Sequence, residues 1–468
     1  MTGNRAGMRQ GSDRRGGRRP GGGPKGPKPV RDEARNAAYD LMRAVDERDA
    51  YANLLMPVML RQRGITGRDA ALATELAYGT LRGLGTYDEI VAACSDRAPE
   101  HVDPPLLDAI RLGAHQLLKT RIPAHAAVSA TIDLVRLRVG EGPSKYANAV
   151  LRKVAGRSLA EWLAIVAPPA DQDPVGHLSV VHSHPAWIVS ALRDAVGGDF
   201  AETAALLEAD NERPRVALVA RPGRATVDEL VAAGAEPAAF SPYGAYLTEG
   251  DPGSLAAVGE ARAAVQDEAS QLVALALTRV PLDRDGRWLD MCAGPGGKAG
   301  LLDAVAAQTG ARVLAADLQE HRARLVWRTT KEAKVVVADG VEPAWRPGAF
   351  DRVLLDAPCS GLGALRRRPE ARWRRDPSGM PELAGLQRRL LGSALDAVRP
   401  GGVVAYVTCS PHLAETRAVV ADFAGRAETL DAREYLPEVP DLGDGPYAQF
   451  WPHRHGTDAM FLALLRKG

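Results

Sequence analysis

The sequence predicts an α/β protein in which a doubly wound parallel sheet over residues 256–468 follows an all-helical domain and a small α+β module. The first observation is that strand-like apolar runs alternate with helical stretches in this C-terminal part, a pattern typical of a parallel sheet with helices on both faces. The second is that apolar residues recur at helical spacing over residues 31–155, where strand-like runs are almost absent. The third is length: 468 residues exceed what one core organises, so two or three domains are expected.

The composition is that of a globular protein, with 46% hydrophobic and 25% charged residues. Only four cysteines occur and none forms a CxxC pair, which excludes zinc-ribbon and thioredoxin-type sites and predicts no metal site. So few cysteines in so long a chain do not make a disulfide scaffold, and a reducing, cytoplasmic location is expected. No run of about 18 apolar residues and no signal-peptide pattern occurs, so neither a membrane span nor a membrane partner is expected. No obligate protein partner is evident.

The first 30 residues are rich in Gly, Arg and Pro and carry eight Lys or Arg and one Asp, a net charge of +7. The whole chain has a formal charge of +1, so the remainder carries about −6. Nothing in this segment can bury a core, and a disordered tail is predicted. Two interpretations stay open: a loose RNA tether through attraction to phosphates, or a solubilising extension of no specific role.

The predicted helical domain, residues 31–155, begins with an apolar stripe at helical spacing. The stripe consists of Ala34, Ala38, Leu41, Met42 and Val45. Similar stripes follow, separated by Gly64, Pro104-Pro105 and Pro123, so five to seven helices are expected. Their polar faces fit a binding module better than a catalytic one. A basic edge near the end of this domain is either an RNA contact or an ordinary solvated helix face. The edge comprises Lys145, Arg152 and Lys153.

Residues 156–255 form the predicted α+β module. Pro168-Pro169 and residues 171–174 mark a linker at its start. A short strand is expected over residues 215–220 and a helix over residues 227–233. No motif in this module indicates a chemistry.

Residues 256–468 contain five strand-like runs with helical stretches between them. The runs cover residues 288–292, 312–317, 334–338, 350–356 and 403–409. The helical stretches cover residues 297–308, 320–331 and 381–398. Right-handed crossovers place such helices on both faces of one sheet. A last run, residues 459–465, is compatible with an antiparallel edge strand.

A glycine-rich turn, Asp290-Met291-Cys292-Ala293-Gly294-Pro295-Gly296-Gly297-Lys298, follows the first of these strands and opens a helix. Glycines there let backbone N–H groups approach a ligand at a helix N-terminus. The turn is not a Walker A loop, because Cys292 stands where that loop needs its first glycine, and it is not a GxGxxG loop. Asp317 ends the next strand, about twenty residues on, where a carboxylate holds a nucleoside ribose, and Asp339 ends the third strand, where an adenine would lie. Because no phosphate-binding group is evident, S-adenosylmethionine is favoured over NAD as the cofactor; the alternative is a purely structural turn.

Two of the four cysteines follow adjacent predicted strands: Asp356-Ala357-Pro358-Cys359 ends the fourth and Thr408-Cys409-Ser410-Pro411 ends the fifth. Neighbouring strands lie about 4.8 Å apart, so both thiols can face one pocket. Cytosine C5 is too weak a nucleophile to accept a methyl group unaided, and addition of a thiolate to C6 activates it. Asp356 is placed to hold the N3 and N4 edge of such a ring. This chemistry leaves open which thiol attacks, and each cysteine alone could instead be a small buried hydrophobe.

Between the two cysteines, Arg366-Arg367-Arg368-Pro369-Glu370-Ala371-Arg372-Trp373-Arg374-Arg375 holds six arginines and one tryptophan in ten residues. Arginines contact phosphates and an indole stacks on bases, so RNA contacts are predicted in this segment. The predicted contacts are Arg366, Arg367, Arg368, Arg372 and Trp373. The alternative is a solvated charge run.

With these residues identified, the chain resembles the ribosomal RNA small-subunit methyltransferase B (Sun/Fmu) branch of the NOL1/NOP2/Sun family of RNA cytosine-5 methyltransferases. The motifs that carry the resemblance are residues 265–271, 290–298, 356–363, 367–373 and 406–411, and Trp451-Pro452-His453 with Gly456 and Asp458. The helical domain, above all residues 69–82 and 144–152, resembles the NusB family. The expected fold is therefore a Rossmann-like methyltransferase domain preceded by an RNA-binding NusB-like domain.

The resemblance implies 5-methylation of a cytidine in 16S ribosomal RNA with S-adenosylmethionine as donor, on the RNA rather than on the fully assembled subunit. It implies that Cys409 attacks C6 and that Cys359 assists release of the product. It also implies a cofactor site at the glycine-rich turn and the strand ends beside it. The members of that site are Cys292, Ala293, Gly294, Pro295, Gly296, Gly297, Lys298, Asp317, Asp339 and Asp356.

The chain departs from the family pattern at several positions. Gly294 and Ala299 stand where Ala and Thr are common, Thr416-Arg417 replaces an Asn-Glu pair, and Ala459-Met460 replaces Gly-Phe. None of these positions is one of the two cysteines, so the departures concern substrate detail rather than activity. Two alternatives remain: the same chemistry on another substrate such as transfer RNA, and a non-catalytic RNA-binding or assembly factor of the same fold.

Overall fold

The computed structural model describes residues 32–468, and the predicted basic tail lies outside this range. Within the described range, no helix is both long enough and apolar enough to cross a membrane. No three His, Cys, Asp or Glu side chains in that range are grouped as metal ligands would be.

The N-terminal part is all-helical, as predicted, and its first seven helices fall within the expected number. The helices are α1 (Glu33–Arg48), α2 (Ala52–Arg63), α3 (Gly67–Arg82), α4 (Leu84–Cys94), α5 (Pro104–Lys119), α6 (Ala124–Arg138), α7 (Glu141–Val154) and α8 (Leu159–Val166). Asp32 caps α1 by accepting the N–H of Arg35 at 3.0 Å, which satisfies one of the free donors of the first turn. The apolar stripes face inward, and Leu41, Leu76 and Ile110 are completely buried in one core.

The middle part combines five helices with a four-stranded sheet of its own. Its elements are α9 (Pro174–His182), α10 (Ala186–Ala195), α11 (Phe200–Ala209), β1 (Val216–Ala220), α12 (Val227–Ala232), β2 (Ala235–Pro237), β3 (Gly244–Leu247), α13 (Ala256–Gly259) and β4 (Ala263–Val265). All pairs in the sheet are antiparallel, in the order β2-β3-β1-β4. The sequence predicted β1 and α12. It did not predict β2, β3 and β4, because three or four residues are too few to show an alternating pattern.

The C-terminal part is the predicted Rossmann-like domain. Its elements are α14 (Glu268–Arg279), β5 (Arg287–Asp290), α15 (Gly297–Thr309), β6 (Arg312–Asp317), α16 (Glu320–Thr329), β7 (Lys334–Val337), β8 (Phe350–Asp356), α17 (Ala371–Arg374), α18 (Met380–Ala397), β9 (Val398–Thr408), α19 (Arg417–Ala421), β10 (Ala427–Leu430), β11 (Ala448–Gln449), α20 (Pro452–His455) and β12 (Phe461–Lys467). Short 3₁₀ turns lie at Pro99–His101, Pro252–Ser254, Leu362–Ala364, Pro377–Gly379, Leu413–Glu415 and Ala432–Tyr435.

The large sheet is mixed, with the strand order β10-β12-β9-β8-β5-β6-β7 and with β11 paired to β12. Strands β5 to β9 are parallel, whereas β12 is antiparallel to β9 and to β10. The predicted final strand is therefore antiparallel but not at the edge, because the four-residue β10 covers its outer side. Helices cover both faces: Trp288 packs with Leu272 and Leu301 on one face, and Leu289 packs with Leu391 on the other.

Two features of the sheet position the site. The chain runs from β5 outward to β7 and then crosses to β8 on the other side of β5, so the strand order reverses beside β5. A crevice opens at the carboxyl ends of the strands at such a reversal, and ligands bind there. Residues Pro400, Gly401 and Gly402 lie within β9, ahead of the predicted start of this strand, where the β8–β9 pairing shifts register and Gly401 adopts a φ of 73°.

Candidate active site

Two cysteine thiols meet at the carboxyl edge of the large sheet. Strands β8 and β9 are neighbours, with Asp356 opposite Val407, and Cys409 directly follows β9 while Cys359 lies three residues beyond β8. Their sulfur atoms are 3.3 Å apart, and both cysteines are free. The structure thus brings the two predicted site cysteines together at the carboxyl edge of the sheet, where the thiol of one can hydrogen-bond to the thiolate of the other.

The two thiols differ in acidity. The hydrogen bond from Cys359 lowers the pKa of Cys409 below its usual value, against the opposing effect of burial, and the positive charge of Lys298 acts in the same direction as that bond. The same hydrogen bond raises the pKa of Cys359 well above its usual value, and burial and the negative charge of Glu415 add to this effect. Cys409 is therefore the thiol that ionises more readily, whereas Cys359 stays protonated and donates the hydrogen bond between them.

Lys298 and Asp356 form an ion pair beside the thiols. Lys298 lies in the first turn of α15, and its Nζ is 2.8 Å from Oδ2 of Asp356, the last residue of β8. Burial acts to lower the pKa of Lys298, but the charge and hydrogen bond of Asp356 outweigh it and the pKa is raised. The ammonium therefore persists inside the pocket. The sequence predicted Lys298 as part of the cofactor turn, and the structure directs its side chain to Asp356.

Asp290, at the end of β5, is a buried carboxyl group that the sequence did not single out as a site residue. It is completely buried, and neither of its side-chain oxygens has a hydrogen-bond partner among the described residues. Burial first, and then the negative charge of Asp356, raise the pKa of Asp290 to about 8. Burial of such an acid costs stability, so Asp290 is a candidate binding position. Its place at a strand end before the glycine-rich turn was the available signal.

The remaining predicted cofactor residues lie at or just beyond the carboxyl ends of the adjacent strands β5, β6 and β7. Asp317, buried at the end of β6, accepts the N–H groups of Gly294 and Gln319, each at 2.9 Å. A Cβ at position 294 would lie 2.5 Å from Asp317 Oδ2, so the glycine at this position leaves room for the contact. Asp339 follows β7 and accepts the N–H of Val341 at 2.8 Å. Burial raises the pKa of the Cys292 thiol, which keeps that cysteine neutral.

Several arginines of the arginine-rich segment contact other parts of the chain instead of facing solvent. Arg372 is completely buried. It donates to Asn211 Oδ1 at 2.7 Å, to the Asp210 carbonyl at 2.9 Å, and to the carbonyls of Arg82 and Ser183 at 3.2 Å. The prediction of an RNA contact is therefore replaced for Arg372 by a role in the interface between α3, the middle part and the catalytic domain. A buried guanidinium needs several carbonyl acceptors, and a run of arginines does not show in advance which one will find them.

Of the other predicted RNA contacts, Arg366 and Arg367 line a cleft of about 330 Å³ between the three parts of the chain, whereas Arg368 and Trp373 are not part of its lining. Arg366 donates to the carbonyl of Gly456 at 2.7 Å, and Arg367 forms an ion pair with the buried Asp458. Arg368 lies over the ring of Tyr51, and the half-exposed Trp373 packs on Gly85. The arginines that line the cleft are Arg82, Arg213, Arg215, Arg366 and Arg367.

Two family models match the chain. Residues 276–466 match the model described as 16S rRNA methyltransferase RsmB/F, and residues 32–156 match the NusB family. A putative methyltransferase of Mycobacterium tuberculosis is 53% identical over 443 residues, which are 93% of this chain and 97% of that protein. The ribosomal RNA small subunit methyltransferase B of Erwinia tasmaniensis is 31% identical and covers 92% of this chain and 97% of its own length.

Solved structures share the fold. The crystal structure of PH0851 superposes with a TM-score of 0.77 at 22% identity and covers 94% of this chain and 99% of that one. The structure of NSun6 from Pyrococcus horikoshii, which was solved with SFG, has a TM-score of 0.52 at 18% identity. It covers 61% of this chain and 99% of its own.

Proposed function

The chain belongs to the RsmB/F family of 16S rRNA methyltransferases, and from this premise we propose that it methylates C5 of a cytidine in 16S ribosomal RNA through a covalent cysteine–C6 adduct. The observation that carries the proposal is the pair of free thiols 3.3 Å apart beside the Lys298–Asp356 ion pair. One thiol is needed to activate the ring and a second group to help dismantle the adduct. The pocket offers both.

The chemistry divides between the two cysteines. The Cys409 thiolate adds to C6, so that a sulfur–carbon bond forms and C5 becomes nucleophilic. After C5 has taken the methyl group, a base removes the C5 proton, the sulfur–carbon bond breaks and Cys409 leaves as a thiolate. The lowered pKa of Cys409 supports its role as the nucleophile, and the raised pKa of Cys359 supports its role in assisting release. We assign to Asp356, oriented by Lys298, the recognition of the N3 and N4 edge of the ring.

The pocket fits S-adenosylmethionine, which supplies an electrophilic methyl group when bound. The donor carries an ammonium and a sulfonium, and the unpartnered carboxyl group of Asp290 suits a cationic ligand. We propose that the turn at residues 292–298, with Asp317 and Asp339, completes the site. Both carboxylate oxygens of Asp317 accept backbone N–H groups, one of them from Gly294, so this side chain also shapes the turn.

We propose that residues 31–155 bind RNA and that the arginine-lined cleft guides it toward the thiols. The cleft lies between this helical domain and the catalytic domain, and Arg82, Arg366 and Arg367 are among its lining residues. Residues 156–255 would then form one wall of the cleft, and residues 256–468 would carry the chemistry.

Bisulfite sequencing of ribosomal RNA from cells that lack the protein tests the substrate. We expect a 16S methylcytidine to disappear and to return when the wild-type chain is supplied, but not when Cys409→Ala is supplied. If every ribosomal methylcytidine remained, the ribosomal assignment would be wrong. Sequencing the transfer RNA of the same cells separates the two substrates, since loss there alone would transfer the same chemistry to transfer RNA.

Donor binding should release a proton from Asp290. Because its pKa of about 8 lies above the usual 3.8, the folded chain holds a proton that the unfolded chain has lost. The ligand-free protein accordingly loses stability as the pH rises from about 4 to about 8. A cationic ligand favours the carboxylate, so affinity should rise over the upper part of this window.

Calorimetry near pH 7 in two buffers of different ionisation enthalpy measures the proton count. We expect Asp290→Asn to lower the number of protons released on donor binding by about one. Titration of the donor's own amino group is common to both proteins and cancels in the difference. Equal proton counts for the two proteins would contradict the role of Asp290.

A further inference from the structure

A buried glutamate joins the two turns that carry the thiols. Glu415 is completely buried in the 3₁₀ turn after β9. Its Oε1 accepts the N–H of Ser360 at 2.7 Å, and its Oε2 accepts the hydroxyl groups of Ser360 and of Ser410, the latter at 2.6 Å. Ser360 directly follows Cys359, and Ser410 directly follows Cys409. One carboxylate therefore holds the residue next to each thiol.

A second side chain strengthens the same connection. Gln387 of α18 donates from Nε2 to Glu415 Oε1 at 3.0 Å and to the carbonyl of Pro358 at 2.9 Å. The Tyr406 hydroxyl donates to the backbone carbonyl of Glu415 at 2.6 Å and ties the glutamate to β9. With four donors on its two oxygens, the buried carboxylate is well satisfied.

The two turns depend on this connection to different degrees. The sheet ladder ends where Ala357 N–H donates to Val407 at 2.9 Å, because Pro358 has no N–H to extend it. Cys409 directly follows Thr408, which is held in register opposite Phe461 of β12. Cys359 lies farther from the sheet. The next backbone hydrogen bond between its turn and the Cys409 turn is donated by the N–H of Gly363 to the carbonyl of Cys409 at 2.9 Å. Loss of the glutamate would therefore free the Cys359 turn more than the Cys409 turn.

We propose that Glu415 is a positioning residue that sets the distance between the two thiols and so couples methyl transfer to release of the product. The inference rests on the proposed cysteine chemistry and extends it to a residue that touches neither sulfur atom. In this arrangement Cys409 attacks without help from Glu415, whereas Cys359 reaches the adduct only while Glu415 holds its turn.

Three substitutions separate position from charge. Glu415→Ala removes the connection through the carboxylate, and Glu415→Asp keeps the charge but shortens the side chain by about 1.5 Å, so that it no longer reaches the two serine hydroxyls, which lie 3.0 Å apart. Glu415→Gln keeps the length: its carbonyl can accept from Ser360 and Gln387, and its amide can donate to the two hydroxyls, which rotate to accept. The proposal predicts that Gln behaves like the wild type and that Ala and Asp do not.

The readout is the covalent protein–RNA adduct on denaturing gels, together with turnover. Cys359→Ala is the positive control, since loss of the releasing thiol should leave the methylated RNA attached. We expect Glu415→Ala and Glu415→Asp to accumulate adduct at least about fivefold above the wild type and to lose about 100-fold in kcat, with little change in KM for RNA, because a displacement of about 1 Å suffices for such a loss. Simple unfolding would lower the adduct instead.

Glu268→Ala is the matched control. Glu268 is equally buried and accepts two backbone N–H groups and the Tyr246 hydroxyl, so its loss should destabilise the chain without trapping RNA. If Cys359→Ala itself formed no adduct, the proposed chemistry would be wrong. If Cys359→Ala trapped RNA but Glu415→Ala and Glu415→Asp did not, or if Glu415→Gln trapped as much as Glu415→Ala, the positioning role alone would be overturned.

Discussion

Cys409→Ala is expected to abolish methyl transfer and to form no covalent adduct with RNA. Without a thiolate to add to C6, C5 stays too weak a nucleophile, and kcat/KM should fall by about 10⁴-fold or more, as removal of an attacking nucleophile does elsewhere. Incorporation of a labelled methyl group into 16S RNA measures the loss. A denaturing gel measures the adduct.

Cys359→Ala should behave in the opposite way on the gel. It keeps the attacking thiolate and loses the group that assists release, so the protein should remain attached to its RNA under denaturing conditions while multiple turnover stops. Cys94→Ala is the matched control, because this cysteine is buried in the helical core, away from the site, and should leave both readouts unchanged. If Cys409→Ala and Cys359→Ala gave the same result, the division of roles between the thiols would be wrong.

The strands that carry the site were predictable because they are buried on both faces. A parallel strand between two layers of helices is a continuous apolar run, and the runs ending at Asp317 and Asp356 have the bounds that the sequence indicates. The strands that escaped prediction are short, such as β10, of whose four residues only the first and the last are buried, so that it shows neither alternation nor an apolar run. Their pairing depends on β12, which is distant in sequence.

The sequence predicts that the two cysteines follow neighbouring strands, but it does not predict how close their sulfur atoms lie. Strand adjacency brings the ends of β8 and β9 together, but the 3.3 Å between the sulfur atoms depends on how the turns beyond the sheet are held. Glu415 and Gln387 hold these turns, and their hydrogen-bond partners are determined by tertiary packing and not by spacing in the sequence. The same limit applies to Arg372, which no local pattern distinguishes from its exposed neighbour Arg375.

Asp356→Asn should cost about 10²–10⁴-fold in kcat and alter the pH profile in a diagnostic direction. Asparagine keeps the shape of the side chain but removes the negative charge that orients Lys298 and that we assign to the edge of the ring. The charge of Asp356 also acts to raise the pKa of Cys409, so its removal should lower that pKa further as long as Lys298 keeps its own charge. The acidic limb of the single-turnover rate should then move to lower pH even though the rate itself falls.

This combination separates recognition of the base from activation of the thiol. If Asp356 acted only through the pKa of Cys409, the variant would keep its rate at low pH, because its more acidic thiol would still be ionised there. Asp351→Asn is the matched control on the same strand, because Asp351 pairs with Arg284 and Arg399 at the amino end of β8, away from the thiols. Its loss should lower stability and leave the pH profile in place. A profile that shifted equally in both variants would place the effect in the fold of β8 and not in the pocket.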